Sequence, residues 1–124
     1  MSAQEHSPPD DTILTETVTA TDYGSSRSVC VAVTASCRQI LSIDDSDDLR
    51  ILVYRDRVEI RDTEYEDDDA LAQETRRPHV RKRSLAVNIP ALAVQVLDIE
   101  QGQLLSSTLR EDCIEIRPID GVTA

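Results

Sequence analysis

Phenylalanine and tryptophan are absent from this 124-residue sequence, and Lys82 is its only lysine. Acids outnumber bases by 24 to 13, for a formal net charge of −11, and aspartate outnumbers glutamate. This balance fits halophilic adaptation to a high-salt cytoplasm. It also excludes a global field drawing the chain to nucleic acid or an anionic membrane, so any such binding must come from a local patch. No charged leader with an apolar core is present, nor any run of about 18 apolar residues. Neither secretion nor membrane spanning is indicated, and a cytoplasmic location is expected.

Groups for catalysis are equally sparse. Cys30, Cys37 and Cys113 are odd in number and lack a C-x-x-C spacing, which argues against a closed disulfide framework. Cys30 and Cys37 read as small, semi-buried apolar residues. His6 and His79 fall in segments expected to be unstructured, and no glycine-rich phosphate loop occurs. No Ser/His/Asp or Cys/His set has both members on predicted elements, so no enzyme and no cofactor is expected. The aspartates between Asp44 and Asp48 lack the glycine and glutamate positions of an EF-hand loop, and read as a solvated acidic turn rather than a metal site.

What the sequence does contain is repetition. Arg27 to Arg61 aligns with Arg83 to Arg117 at a constant offset of 56 (83 − 27 = 56), without a gap. The pairs include Ser28 with Ser84, Val31 with Val87, Gln39 with Gln95, Leu49 with Leu105, and Glu59-Ile60-Arg61 with Glu115-Ile116-Arg117. Identities at this density on one diagonal indicate a duplication. A unit below about 40 residues rarely buries enough core alone, and the obvious partner is the other copy.

Each copy reads as β-α-β-β. In the first, Val29, Val31 and Val33 share one face of a strand and Ser28, Cys30 and Ala32 the other. Thr34 then sits as an N-cap before a two-turn helix, Ala35 to Leu41, with Cys37, Ile40 and Leu41 inward. Pro90 starts the second helix by different chemistry. Ile43 and Ile99 plug the following turns, marked by Ser46 and Gly102. A hairpin about Arg55-Asp56 follows, repeated about Glu111-Asp112. Val58 and Ile60, like Ile114 and Ile116, alternate with Glu59 and Arg61, or Glu115 and Arg117, which predicts one buried and one wet face.

The predicted organisation is a disordered acidic tail (1–25), a first repeat (26–62), a charged flexible linker (63–81), a second repeat (82–118) and a short tail (119–124). Ile13-Leu14 is the apolar patch through which the tail could dock on a protein partner. The linker changes sign along its length: Glu64 to Asp69 is acidic, while Arg76, Arg77, Arg81, Lys82 and Arg83 form a basic cluster. That cluster is either a DNA-contacting arm or a counterweight to the acidic run.

Ser84 to Pro90 (SLAVNIP), followed by Leu97 to Gly102 (LDIEQG), resembles the strand, Ile-Pro helix start and glycine loop of the AbrB/MazE/SpoVT swapped-hairpin DNA-binding family. The first copy matches with Val33-Thr34 for Ile-Pro and Leu41 to Asp47 for the loop. The resemblance implies a mainly β fold with short helices, in which tandem β-α-β-β repeats interlace as a swapped-hairpin β-barrel, here a single-chain pseudo-dimer or a homodimer. It implies a sequence-specific transcriptional regulator binding double-stranded DNA, with Arg27, Arg38, Arg76, Arg77, Arg81, Lys82 and Arg83 as the basic contacts. The family's strand arginine is Asn88 here and Ala32 in the first copy, and its helix arginine pair falls on Arg38-Gln39 and Val94-Gln95. Two alternatives stand beside this reading. One is an interaction or oligomerisation module that has lost DNA binding; the other is a MazE-like antitoxin, which would lack a toxin-wrapping segment beyond Pro118 to Ala124.

Overall fold

The computed structural model describes residues 12–22, 29–81 and 84–123. The chain is mainly β, with two seven-residue helices and two antiparallel sheets. Strands β3 (Val29–Val33), β4 (Leu49–Val53) and β5 (Val58–Asp62), with helix α1 (Ala35–Leu41) after β3, make the first unit. Strands β8 (Ser84–Ile89), β9 (Gln103–Arg110) and β10 (Ile114–Thr123), with α2 (Ala91–Leu97), make the second. Thr34 caps α1, its hydroxyl accepting from Cys37 N, whereas Pro90 precedes α2 with no side-chain cap. Both helices stop at a left-handed residue, Ser42 (φ 57°) and Asp98 (φ 56°), and these are repeat equivalents. In each, the next N–H reaches back to close the last turn, from Ile43 to Arg38 O and from Ile99 to Val94 O.

The duplication appears in space as a twofold. In the β3–β8 pair Val31 faces Val87, and in the β5–β10 pair Glu59 faces Glu115. Both are residues 56 apart (87 − 31 and 115 − 59), so each strand lies antiparallel to its own copy about a repeat-equivalent pair. Such an arrangement is isologous, as in a symmetric dimer, but inside one chain. The hairpins β4–β5 and β9–β10 thereby meet through their second strands. The inward residues of both sheets form one core, including Val31, Val87, Ile51, Ile60, Leu105, Leu109, Ile114 and Ile116, all at most 1% exposed. Ile43 and Ile99 plug it as expected, while Ile40 is 53% exposed rather than inward, because a seven-residue helix has room on its core side only for Cys37 and Leu41.

The tail and linker expectations need correction. Within them lie β1 (Thr12–Thr19), β2 (Thr21–Asp22), β6 (Ala72–Arg76) and β7 (His79–Arg81); residues 1–11 and 23–25 lie outside the description. β1 pairs with β9 and β6 with β4, flanking the two hairpins to give the sheet β1-β9-β10-β5-β4-β6. β2 and β7 flank β3 and β8 in the sheet β2-β3-β8-β7. Val18 faces Leu105 where Arg76 faces Leu49, and Thr21 faces Cys30 where His79 faces Ala86. The leading strands are therefore also copies, at an offset of 58 (76 − 18 and 79 − 21). The duplicated unit is β-β-β-α-β-β. As flanking strands they bury only one side, so their apolar periodicity is weak; of their residues only Glu16-Thr17 and Glu74-Thr75 coincide at that offset.

The closed barrel is likewise replaced by two open sheets, among the described residues. They are joined where β1 passes into β2 through Ala20 and β6 into β7 through Arg77-Pro78, a strand changing sheets at each corner. Ile60 and Ile116, each 1% exposed, are equivalent positions beside the Glu59–Glu115 centre. Truncating either to alanine should cost about 3 kcal/mol, with the two costs agreeing within about 1 kcal/mol, in urea unfolding of the two variants.

Candidate nucleic-acid interface

The four-stranded sheet turns Val29, Val31, Val33, Leu85, Val87 and Ile89 to the core. Alternation then places Cys30, Ala32, Ala86 and Asn88 on the outward side, flanked by Thr21 and His79, the register partners of Cys30 and Ala86. Thr21 Oγ1 lies 3.2 Å from Cys30 Sγ. This outward side is small and uncharged but largely covered: Cys30 and Ala86 are buried, Ala32 and Asn88 half-buried, and the Asn88 side-chain oxygen is itself buried.

Among the described residues, the expected basic contacts Arg38, Arg76 and Arg77 do not converge on that face. Arg76 pairs with Glu74 along its own strand. Arg77 Nε meets Asp48 at 3.0 Å, with both side chains substantially exposed, a contact worth well under about 1 kcal/mol. Arg38, in the last turn of α1, is half-buried and interacts with Asp44, whose carboxyl is held low chiefly by Ser46. The structure therefore brings Arg38 and Arg77 to opposite ends of one aspartate loop, Asp44 to Asp48. The backbone of Arg81 pairs with Ser84 across the β7–β8 turn. Arg27, Lys82 and Arg83 lie outside the described residues.

Guanidinium groups gather instead on the outer face of the six-stranded sheet, which is buried around Glu59 and Glu115 and not the wet face that alternation predicts. Glu59 is 3% exposed and Glu115 8%, and the two stand directly opposite across β5 and β10. Two like charges so placed repel, so both carboxylates need cations. Glu59 accepts from Arg57 Nε at 2.7 Å and Arg61 Nε at 2.8 Å. Glu115 is gripped through both oxygens by Arg110, at 3.0 and 3.2 Å, and accepts from Arg117 at 3.3 Å. Arg117 reaches Asp56 at 2.9 Å and Arg61 reaches Asp112 at 3.3 Å, each tying one hairpin's second strand to the other's turn. Arg61 and Arg117 are repeat equivalents, but the second guanidinium in each half comes from a different place. Arg57 holds the position that Cys113 holds in the second copy, and Arg110 the position of Tyr54.

The segment after β5 covers part of this lattice. Tyr65 stacks on Arg61 and Tyr54 under Arg57, each ring centroid 4.0 Å from the guanidinium carbon. Arg50 donates to the carbonyls of Thr63 and Tyr65, and the Tyr54 hydroxyl donates to Asp67 at 2.6 Å. Burial and that bond together push the phenol well above its usual range. Burial also raises the Glu115 carboxyl, but Arg110 and Arg117 outweigh it and hold the group below an ordinary glutamate. Asp56 follows the same pattern with Arg117 and Arg57. Cys113 is pushed up to about 12, mainly by burial, and so stays a protonated, inert thiol at neutral pH. The clue in the sequence was the duplicated Glu-Ile-Arg triplet, whose partners in the turns could not be inferred from spacing.

A cleft of about 490 Å³ opens between the end of α1, β5 and the second hairpin turn. Leu41, Ile43, Leu49 and Ile60 line it together with Asp47, Asp48, Asp62 and Asp112, and Arg61 is its only cationic lining residue. Such a rim repels phosphate. Among the described residues no three potential metal-ligating side chains cluster, and no helix is long and apolar enough to cross a membrane. Comparison of the chain with protein-family models, with curated proteins and with solved structures finds no match.

The lattice makes a signed prediction. Groups held low in the folded chain stabilise it fully above their unfolded values, 4.5 for Glu115 and 3.8 for Asp56, and lose that contribution as pH falls through the folded values. Stability should therefore decline below about pH 4.5. Glu115→Gln should cost about 3 kcal/mol at pH 7 by stranding its arginines, and the gap from the wild type should narrow at pH 3, as read by urea unfolding at both pH values.

Proposed function

We propose that the chain is a sequence-specific transcriptional regulator of the AbrB/MazE/SpoVT swapped-hairpin type, binding double-stranded DNA as a single-chain pseudo-dimer. The observation that supports it is the register of β3 on β8, with Val31 facing Val87. Because these strands are antiparallel copies, they begin, at Val29 and Ser84, toward opposite ends of the four-stranded sheet; Arg27 and Arg83 precede those starts in the sequence and lie outside the described residues. On this reading two repeat-equivalent basic segments suit the two half-sites of a near-palindromic operator. In sequence Arg81 and Lys82 stand against Ser25 and Ser26 of the first copy, so the half-sites need not be equivalent. These cations act on phosphates and set position, which by itself carries no sequence information.

A second reading, an interaction module without DNA affinity, is favoured by a specific fact. Arg76 and Arg77 are engaged by Glu74 and Asp48, and the outward residues of β3 and β8 carry no guanidinium. A gel shift on the promoter of the protein's own gene, across a salt series, separates the two. The regulator reading expects a shift at low salt. It also expects the chain with Arg81→Ala, Lys82→Ala and Arg83→Ala to bind more weakly, with a salt slope shallower by about 2 to 3. No shift at low salt leaves the interaction module.

A further inference from the structure

Four edge strands bound the two sheets, and three are blunted. β2 and β7 have two and three residues. β6 carries Glu74 and Arg76 and runs into Pro78, and its Gln73 amide donates to the Asp67 carbonyl at 3.0 Å, tying a loop to the strand. β1 has none of these guards. Its eight residues, TILTETVT, contain no proline, lysine or arginine, and its single charge, Glu16, already accepts from Thr34 Oγ1 at 2.6 Å. Among the described residues β1 pairs with β9 alone. An irregularity between Thr12 and Leu14 is confined to its start, leaving Leu14 to Thr19 regular. Ala20 donates its N–H to Gln103 at 2.9 Å, so by alternation Val18 and Glu16 direct theirs to β9, while Thr15, Thr17 and Thr19 direct theirs outward. A long, unguarded edge of this kind is a template for another strand.

We propose that β1 pairs antiparallel with β1 of a second copy of this chain, Thr17 opposite its own counterpart, joining two six-stranded sheets into one. The sequence of β1 suits a copy of itself. In this register Thr15 faces the second copy's Thr19 and Glu16 faces its Val18, so threonines meet threonines and no like charges coincide. Thr15 already makes such a contact within the chain, its hydroxyl 3.3 Å from that of Thr108. The molecule uses the same solution twice internally, pairing β3 with β8 and β5 with β10 about equivalent residues. Two chains of charge −11 repel, so screening by salt strengthens the association. The pairing is independent of DNA binding.

Sedimentation velocity of the full chain from about 10 µM to about 1 mM, at low and high salt, tests this. A monomer at the dilute end should pass into a dimer at the concentrated end, with more dimer in salt. Thr17→Pro, which deletes an outward N–H that an edge strand can spare, should raise the dimer dissociation constant at least about tenfold with the circular dichroism unchanged. Should that variant fold poorly, hydrogen exchange on the wild type decides: amides of Thr15, Thr17 and Thr19 should slow with concentration while those of β6 do not. A chain monomeric throughout, or a dimer whose β1 amides exchange at a concentration-independent rate, overturns the pairing.

Discussion

Antiparallel pairing of a strand with its own copy demands self-complementarity, and the fold depends on meeting that demand twice. At the β3–β8 contact it is met simply: Val31 on Val87, with apolar partners either side, buries a face that neither unit could bury alone. At the β5–β10 contact the twofold forces Glu59 against Glu115. Both carboxylates are buried there, and four arginines and two turn aspartates are arranged around them. Because Arg117 reaches Asp56 and Arg61 reaches Asp112, the same ion pairs that neutralise the centre also bind the two hairpins together.

That lattice bears on function by competing for guanidinium groups. Arginines usable on a phosphate backbone must be free of carboxylates, and in this acidic chain most described ones are engaged. Arg57, Arg61, Arg110 and Arg117 serve the lattice, while Arg76 and Arg77 meet neighbouring acids. A DNA surface would therefore draw on few of the described guanidinium groups. At high salt, where counterion release drives little binding, base contacts and shape would carry more of the specificity.

The β-α-β-β units, their helix starts and their hairpin turns were legible because each rests on local chemistry: a Thr cap, a Pro at a helix start, period-two valines and isoleucines. The flanking strands were not. β6 and β7 read as a linker because a strand buried on one side, carrying Glu74, Arg76 and Pro78, has almost no apolar alternation. The burial of Glu59 and Glu115 was hidden for another reason. Alternation assigns side chains to two faces, but it cannot reveal that Tyr54, Tyr65 and the partner hairpin cover the second face.

The sequence by itself determined that the chain is a duplication and where each short element starts and stops, since these follow from neighbours along the backbone. Only the tertiary structure decided that the copies face each other about Val31–Val87 and Glu59–Glu115. The same is true of the leading strands, which carry the chain from one sheet to the other, and of which arginines remain for a partner. Those outcomes turn on which residues meet across long stretches of chain, where the satisfaction of a buried charge outweighs any local preference.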